Sequence, residues 1–572
     1  MHLSKYKTKN GRIYLTIAES YRRASDGKTS VKNIMPCGYL DELEKKYPDP
    51  IAHFTKIKDE MNKKKKELNA PIKIELDPNE MLKINKKYIV NLGCSVPLTI
   101  YNMLGIEVIL RNQVAKSKVK YDLNAVMRLL VTERILNPCS KIAAFENRDK
   151  YLFRTKFSKD NLFNSLDVFA VLKDKIIRKM NKSIDSNFGR DTKNIFYDVT
   201  NYHFECDPDD LRKKGVSKNH VPNPIVQMGL MQDSNAIPMN YKLFPGNTND
   251  SQTMLPVLAD MKKELNIRSA TAVADKGLNC STNMAALVAS GDGFIFSQSI
   301  RGTKSDTELR NRVLNENGYR YSADKKFKKK SWQGYKTIHL SPEDTFDGKA
   351  KDVEIEVKYV AFWSEKYEQR AKAQREKVIA KSIEMVNSPG KYTSSSHFGA
   401  SKYVKGLNID KNTGEILSGT KKCILDFDKI AEEEAADGYY LIVTSRTNWS
   451  DSKIIDAYRG LWQIEETFRI SKSDIETRPV YVRKENRIEA HFLTCYIALT
   501  IIRLIQLISK DRPSAREIID NLGSINCVNF HTNYWCLENR TTLGDQLFKL
   551  AKLDIPKRFM TTKEIKNFMY KK

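Results

Sequence analysis

The sequence predicts an α/β protein whose mixed β-sheet is interrupted by a β-rich insertion. Residues 191–300 contain three strand-like runs, a helix, a strand, a second helix and a fifth strand, in that order. Residues 301–437 then alternate apolar and polar side chains in runs such as DVEIEVKYVAFW. Residues 438–510 return to a buried strand, GYYLIVTS, followed by a long amphipathic segment. Because the strand and helix pattern resumes after the alternating stretch, we interpret that stretch as an inserted domain.

The charge composition of the chain indicates which class of molecule it binds. The formal net charge is +27 over 572 residues, and an excess of that size indicates a polyanion, with nucleic acid first and an anionic membrane second. The most apolar stretch, residues 492–508, contains Arg503 and Gln506 and is shorter than the ~20 residues of a membrane span, so we interpret it as a core helix. The first residues, MHLSKYKTKNGR, lack an apolar signal segment, which predicts a cytoplasmic protein associated with DNA. Nine scattered cysteines without zinc spacing predict buried, reduced thiols.

The N-terminal region, residues 1–80, is predicted to be a small β-hairpin region with a basic linker. The strand-like runs RIYLTIAESY and TSVKNIMP are joined by SDGK, and Asp-Gly between such runs is typical of a hairpin turn. The lysine run at 63–66 has two open interpretations, a phosphate contact or a solvated helix face.

Residues 81–190 are predicted to be mainly helical. In LNAVMRLLVTERIL, Leu123, Val126 and Leu130 recur at helical spacing beside Arg128 and Arg134. A basic helical region at this place predicts a DNA-binding region, although it carries no sharp helix-turn-helix signature.

The bounds of the predicted strands and helices within residues 191–300 can be given individually. The predicted strands cover 195–200, 225–232 and 237–244, and they are followed by a helix at 251–265, a strand that stops at Asp275, a helix at 281–290 and a last strand at 293–299. This is the order of the elements in the ribonuclease H fold. Of that fold, only the closing helix is missing from residues 191–300. That helix should carry an acid facing the two aspartates, Asp198 and Asp275, that already stand at strand ends.

The remaining regions complete the prediction. The insertion contains KKFKKK at 325–330, for which phosphate contact and solubility remain open alternatives. After GYYLIVTS, the stretch NWSDSKIIDAYRGLWQIEETFRISKSD is predicted to be one long helix, with Ser450 or Ser452 as its N-cap. Residues 511–572 are predicted to form a C-terminal helical region.

The long helix should carry one polar stripe. Tyr458, Glu465 and Lys472 recur every seven residues, which at 3.6 residues per turn leaves a drift of only ~20° per step. Arg469 lies one turn from Glu465 on nearly the same side. The rival acid Glu466 points ~100° around the helix, away from the stripe, which predicts a surface role for it.

Three acids, Asp198, Asp275 and Glu465, therefore stand on two strand ends and one helix of a single fold. Oxygen ligands from separate elements suit Mg²⁺ or Mn²⁺, which keep positions for water and phosphate oxygens. Two such ions could activate the attacking oxygen and stabilise the leaving one during displacement at phosphorus. Lys472 and Tyr458 could hold the phosphate backbone near the cut.

Four ordered motifs resemble a known family. The stretches FYDVT, GLMQDSNAIPMNYKLFPGNTND, AVADKGLN and YRGLWQIEETFRISK resemble the DDE transposases of bacterial and archaeal insertion sequences, type-4 superfamily, in its long insertion-bearing branch, over residues 131–508. The resemblance implies that Asp198, Asp275 and Glu465 bind two Mg²⁺ ions. It also implies that a final Tyr-Arg-Glu-Lys signature contacts double-stranded DNA at the transposon end, and that a homodimer holds two ends in one synaptic complex.

The signature matches this chain at Tyr458, Glu465 and Lys472, whereas Leu461 stands at the arginine position. Arg459 or Arg469 could replace that arginine. Further candidates for contact with DNA are Trp462, which could stack on an unpaired base or serve as a core residue, and Lys276, which follows Asp275.

The sequence thus predicts a transposase that binds terminal inverted repeats, cleaves the ends by metal-dependent hydrolysis and transfers the 3′-hydroxyl ends into target DNA. Three alternatives remain open: a catalytically silent DNA-binding regulator, a ribonuclease H-like structure-specific nuclease, and a basic RNA-binding scaffold. Taken singly, either aspartate at a strand end could instead be a turn or cap residue. For His203 and His491, a structural role is the simpler interpretation.

Overall fold

The computed structural model describes the chain except for residues 9, 23–28, 70–76, 85, 152–155, 216–222, 266, 303–305, 343–348, 388–398, 407, 410–415, 418–422, 532 and 571–572. The chain divides into two units, Met1–Lys86 and Lys87–Lys572. Each unit is described by itself.

The first unit is a three-stranded sheet with two helices. Its elements are β1 (His2–Lys7), β2 (Ile13–Arg22), β3 (Thr29–Tyr39), α1 (Leu40–Leu43) and α2 (Pro50–Asn69). β2 pairs with β1 and β3 in antiparallel directions, which confirms the predicted hairpin pairing, while its turn at 25–28 lies outside the described residues. Leu15, Leu43 and Phe54 form the core. Lys63 and Lys64 lie exposed on α2.

The second unit begins with a short strand and five helices, as predicted for residues 81–190. They are β4 (Ile89–Asn91), α3 (Ser95–Met103), α4 (Ile106–Ala115), α5 (Leu123–Leu136), α6 (Lys141–Asn147) and α7 (Lys159–Phe188). α5 begins after Asp122, whose side chain accepts the backbone N–H groups of Asn124 and Ala125. Such a cap satisfies donors that the first helical turn leaves without partners.

The next elements follow the predicted order of three strands, helix, strand, helix and strand. They are β5 (Asn194–His203), β6 (Ile225–Gln232), β7 (Pro238–Pro245), α8 (Met254–Leu265), β8 (Thr271–Ala274), α9 (Ser281–Ala289) and β9 (Gly293–Gln298). β6 is antiparallel to β5 and to β7, whereas β8 is parallel to both β5 and β9. The β6–β7 turn is held by Asp233, which accepts the N–H groups of Asn235 and Ile237 and pairs with Arg190 at 2.9 Å.

The segment predicted as a β-rich insertion contains helices as well as strands, and one of these helices is 23 residues long. Its elements are α10 (Thr307–Leu314), β10 (Arg320–Tyr321), β11 (Phe327–Leu340), β12 (Lys351–Ser364), α11 (Glu365–Asn387), β13 (Val404–Lys405), β14 (Asn408–Ile409), β15 (Ile416–Leu417), β16 (Ile424–Leu425) and α12 (Phe427–Glu434). β12 pairs with β17 (Tyr439–Thr444), and β17 pairs with β9. The inserted strands β10, β11 and β12 therefore extend the central sheet, whose order is β10-β11-β12-β17-β9-β8-β5-β6-β7.

The helical segment after β17 is interrupted, so the prediction of one long helix is wrong in part. It consists of α13 (Asp451–Arg459), α14 (Trp462–Arg469) and a π-helical turn (Ile470–Asp474). Gly460 and Leu461 keep right-handed helical angles between the two helices. Ser450 is the N-cap, since its hydroxyl accepts the N–H of Lys453 at 3.3 Å.

The C-terminal part is mixed rather than helical. After α15 (Glu485–Ile508) come α16 (Ala515–Ser524), β18 (Asn526–His531), β19 (Tyr534–Leu537), α17 (Thr542–Leu550), β20 (Phe559–Thr561) and α18 (Thr562–Tyr570). β18, β19 and β20 form a four-stranded sheet with the distant β4. The prediction of a purely helical region missed these strands because each has only three to six residues.

α15 is the central helix of the second unit. Among the described residues it is the one helix with the length and apolar composition of a membrane span, and 89% of its apolar window is buried inside the protein. The prediction of a core helix for this stretch is confirmed.

Candidate active site

Successive side chains of β5 lie on opposite faces of the central sheet. Phe196 belongs to one core cluster together with Val273 of β8, while Tyr197 belongs to the other. Since side chains alternate along a strand, Asp198 shares the face of Phe196, and Asp275 continues the face of Val273. The same cluster contains Ile464 and Phe468 of α14. Both aspartates therefore stand on the face that α14 covers.

The register between β5 and β8 places Asp198 and Asp275 at the same height along the two strands. β5 and β8 are parallel, and Phe196 lies opposite Val273. Continuing this register by two residues places Asp198 level with Asp275, on neighbouring strands about 4.8 Å apart. Asp198 lies within β5 rather than at its predicted end, because the strand continues to His203. It is half-buried, and its Oδ1 accepts the N–H of Val199 at 2.7 Å. Asp275 directly follows β8 and is exposed.

Ser297 and Tyr458 form a hydrogen-bonded chain to Asp275. The Ser297 hydroxyl donates to Asp275 Oδ1 at 2.8 Å and also bonds to the Tyr458 hydroxyl. Because a serine hydroxyl has one proton, which Ser297 gives to Asp275, the Tyr458 hydroxyl is the donor in the second bond. Burial raises the pKa of Tyr458, and the nearby carboxylates of Asp275 and Glu465 raise it further.

α14 runs along β5. At its start, Gly460 lies against the ring of Phe196; at its end, the Ser471 and Tyr202 hydroxyls are 2.9 Å apart. With about 1.5 Å per helical residue and about 3.3 Å per strand residue, Glu465 and Asp198 both lie about 7 Å beyond the Gly460 contact. Glu465 is exposed, and within the described part of the chain its carboxylate makes no hydrogen bond or ion pair.

The buried face of α14 is fixed by an arginine of α15. Arg503 pairs with Glu466 at 3.0 Å, donates to the Gln463 carbonyl at 2.9 Å and donates to Thr467 Oγ1 at 2.6 Å. The prediction of a surface role for Glu466 is therefore wrong, because this half-buried carboxylate neutralises a buried guanidinium. This pairing leaves Glu465 on the outward side of the helix.

Trp462 and Leu461 stand at the joint between α13 and α14. The Trp462 side chain is 57% exposed, which excludes the alternative of a core tryptophan. Leu461, at the position where the resemblance implies an arginine, packs against the core. Arg459 is exposed; its guanidinium lies 5.1 Å from the centre of the Phe327 ring and 3.7 Å from Asp456.

The other cations predicted to contact DNA lie farther along the same elements. Lys276 is exposed directly after Asp275. Arg469 pairs with Asp474 at 3.4 Å. Lys472 lies in the π-helical turn, with its ammonium 5.7 Å from the centre of the Tyr202 ring, near the end of β5.

The inserted strands hold the start of α13. Lys358 of β12 pairs with Asp451 at 2.8 Å, and Ser331 of β11 donates to the same carboxylate at 3.0 Å. Lys329 donates to Ser452 Oγ at 2.5 Å. The insertion is thus joined to the segment that carries Tyr458 and Glu465.

These contacts also bear on the KKFKKK run. Besides Lys329, Lys328 pairs with Glu316 at 2.6 Å and donates to the Tyr439 hydroxyl at 2.8 Å. Lys330 donates to the carbonyls of Arg312 and Asn315, the latter at 2.5 Å. Internal contacts, rather than phosphate or solubility alone, therefore account for these three lysines.

Asp198, Asp275 and Glu465 provide the oxygen ligands that a divalent cation prefers, but their side chains do not surround a common position. Asp275 and Glu465 form no ion pair with Lys or Arg among the described residues, so their charges remain to be balanced. All-carboxylate oxygen donors suit Mg²⁺ or Mn²⁺. Within the described residues, however, no three Asp, Glu, His or Cys side chains lie close enough to hold one ion. A shared ion would require these side chains to come closer together.

Two family models match separate parts of the chain. One, described as the transposase DDE domain, matches residues 224–501, which include Asp275 and Glu465. The other, described as the IS1634 family transposase N-terminal domain, matches residues 3–72 within the first unit. No curated protein matches the chain. Together the two models, both of transposases, support an insertion-sequence DDE transposase.

Proposed function

We propose that the protein binds the terminal inverted repeats of its own element, cleaves a strand at each end by hydrolysis, and joins the exposed 3′-hydroxyl to target DNA. The observation that carries the proposal is the parallel register that sets Asp198 level with Asp275 on the face covered by the Glu465 helix. The two matching family models support a transposase, and this arrangement of acids supports a single site for both steps.

The strand order supports a ribonuclease H-like core. The five strands β9-β8-β5-β6-β7 lie side by side, with β5, β8 and β9 parallel and β6 reversed. The elements follow one another along the chain in the order predicted from the sequence, and α14 takes the place of the closing helix. In such a core Asp198 acts from within β5, Asp275 from the end of β8, and Glu465 from that helix.

Asp198, Asp275 and Glu465 are the residues that would hold divalent metal, with two Mg²⁺ ions or Mn²⁺ as the expected occupants. When bound, such ions activate the attacking oxygen and stabilise the leaving oxygen during in-line displacement at phosphorus. In this chain, Ser297 orients the Asp275 carboxylate through their 2.8 Å bond. Tyr458 and Lys276 lie next to Asp275, while Trp462 and Lys472 lie on the helical segment that carries Glu465. These four residues are the candidates to position the DNA strand.

The charge of the chain supports DNA as the partner. A net charge of +27 favours binding that depends steeply on salt, because each neutralised phosphate releases counterions. Arg459 pairs at 3.7 Å with the exposed Asp456, whereas Arg469 pairs at 3.4 Å with the buried Asp474, so Arg459 is the more available replacement for the missing signature arginine. We propose a homodimer that holds two transposon ends while both are cut.

The test uses DNA from both flanks of the reading frame. Purified protein with Mg²⁺ should nick labelled end fragments at one position and should join a precleaved end to a target plasmid. Binding without nicking would overturn the proposal in favour of a silent regulator. Nicking without joining of the precleaved end would favour a structure-specific nuclease instead.

A further inference from the structure

A cavity of about 520 Å³ lies in the second unit, between β4 and the C-terminal end of α5. The rest of its wall comes from the 3₁₀ turn Arg148–Lys150, the end of α16 and the start of β18. Among the described residues, its lining includes none from β5, β8 or α14. Its volume falls within the range of small-molecule sites, about 300 to 1,000 Å³. The proposed function leaves this β4–α5 cavity without a role.

The charged side chains of the cavity wall are two lysines. Lys87 Nζ donates to the Glu146 carbonyl at 2.6 Å, and the half-buried Lys150 makes no hydrogen bond or ion pair with the described part of the chain. The carboxylates of Glu146 and Asp149 are exposed and do not line the cavity. Two ammonium groups in a wall without a carboxylate match a phosphate group.

Two asparagine amides in the wall are held in fixed orientations. Asn137 Nδ2 donates to Glu133 Oε2 at 2.9 Å, which leaves Asn137 Oδ1 as an acceptor. Asn91 Nδ2 donates to the Leu522 carbonyl at 3.0 Å and to Asn526 Oδ1 at 3.2 Å, which leaves Asn526 Nδ2 as a donor. One acceptor and one donor match the edge of a nucleobase, which presents both kinds of group.

Flat and apolar side chains complete the wall. Tyr88, Tyr151, Ile89 and Leu136 line the cavity, and Tyr151 is only 3% exposed, so its ring is held in place. A base of any kind can stack on an aromatic ring, with a gain of about 1 to 3 kcal/mol. Gly523 belongs to the same wall, and nothing lies within 4 Å of a Cβ added there.

We infer that the β4–α5 cavity binds a nucleotide, with its base on the tyrosine rings, its base edge on the two amides and its phosphate on the two lysines. This inference goes beyond the proposed function and does not rest on it. A free nucleotide and an unpaired nucleotide of a DNA strand share this chemistry, and the experiment separates them.

Titration calorimetry of the full-length protein in metal-free buffer tests the site with dAMP, dGMP, the matching nucleosides and inorganic phosphate. One mononucleotide per chain should bind, at least about tenfold more tightly than its nucleoside or phosphate alone. Displacement by a short single-stranded oligonucleotide assigns the site to an unpaired nucleotide of DNA, and displacement by mononucleotides alone assigns it to a free nucleotide. Phosphate that binds as tightly as the mononucleotide would overturn the inference.

Two variants locate the binding. Lys150→Gln should weaken mononucleotide binding about tenfold and leave nucleoside binding unchanged, because one charge-assisted contact is lost. Gly523→Leu places a side chain in the cavity and should abolish binding of both, while leucine favours the helix and preserves the unfolding midpoint.

The matched control is Lys549→Gln, at an exposed lysine of α17, which should bind as wild type does. A mononucleotide affinity that either cavity variant leaves at the wild-type value would overturn the site. Wild-type protein that binds no mononucleotide at about 1 mM would overturn it as well, and neither result bears on end cleavage.

Discussion

Gly460 lies directly against the ring of Phe196. A Cβ at position 460 would come within 2.5 Å of Phe196 Cζ, although the backbone angles of Gly460 are ordinary for any helical residue. Glycine is therefore required here by space rather than by conformation. The contact sets the distance between the α13–α14 segment and β5, and so the height of Glu465 above Asp198.

Gly460→Ala should push this segment away from β5. We expect a loss of about 1 to 3 kcal/mol in the free energy of unfolding, typical of an overpacked core, together with slower end cleavage. The midpoint of urea unfolding and the cleavage rate measure the two effects. Gly523→Ala is the control, because nothing lies within 4 Å of the added methyl group and the change should be neutral or slightly stabilising. Equal midpoints for both variants would contradict the packing argument.

Ser297→Ala removes the hydrogen bond that orients Asp275. Groups that orient metal ligands typically contribute 10- to 100-fold, so cleavage should fall by about that factor while DNA affinity stays constant. The Mg²⁺ concentration for half-maximal cleavage should rise, an effect that general destabilisation would not produce. Ser297→Thr retains the hydroxyl and should recover most of the rate. Wild-type Mg²⁺ dependence in the alanine variant would remove Ser297 from this role.

Arg503→Met should be strongly destabilising. It leaves the half-buried Glu466 carboxylate without its paired guanidinium, and breaking one side of a buried pair costs about 3 to 5 kcal/mol. Thermal unfolding measures the loss. Arg516→Met removes an exposed arginine that pairs with Asp520 at 2.9 Å and should cost less than about 1 kcal/mol. If the two variants unfold at the same temperature, Arg503 does not anchor α14.

A buried lysine predicts a pH dependence of stability. Lys141 contacts His491 Nδ1, while His491 Nε2 lies 2.7 Å from the Thr477 carbonyl. Burial lowers the pKa of Lys141 to about 7, whereas the unfolded chain keeps this proton up to pH 10.5. Between these values the unfolded state binds one proton more. This residue should therefore raise stability with pH by about 1.4 kcal/mol per unit.

Lys141→Met should remove that slope, and urea midpoints between pH 7 and 8.5 measure it. Comparison with Lys549→Met, at an exposed lysine of α17, cancels the contribution of other titrating groups. A Lys141→Met variant with the same slope as the control would show that the lysine stays charged in the folded protein.

The parts of the fold that the sequence predicted are those with long local patterns. The apolar runs of β5, β8 and β9 and the apolar periodicity of α5 and α15 are strong signals over single segments. Asp198 and Asp275 could be identified because each follows such a run. Glu465 could be identified because Tyr458 and Lys472 repeat with it at helical spacing.

The remaining features depend on contacts between distant segments. Ser297 and Asp275 are 22 residues apart in the sequence, and Arg503 and Glu466 are 37 residues apart. No local sequence pattern predicts either contact. The sheet of β4 with β18, β19 and β20 joins the two ends of the second unit through very short strands. Only Gly460 gave a local sign of the helix interruption, since glycine is unfavourable inside helices.

The most direct test of the central claim is Mg²⁺-dependent cleavage of labelled end DNA by Asp198→Asn, Asp275→Asn and Glu465→Gln, alone and in pairs. If the three acids act as one metal site, each variant should bind the DNA as wild type does and lose cleavage by at least about 10³-fold. The double variants should then be no worse than the single ones, because groups that act as a unit are not additive. A Glu465→Gln protein that cleaves at nearly the wild-type rate would contradict the account.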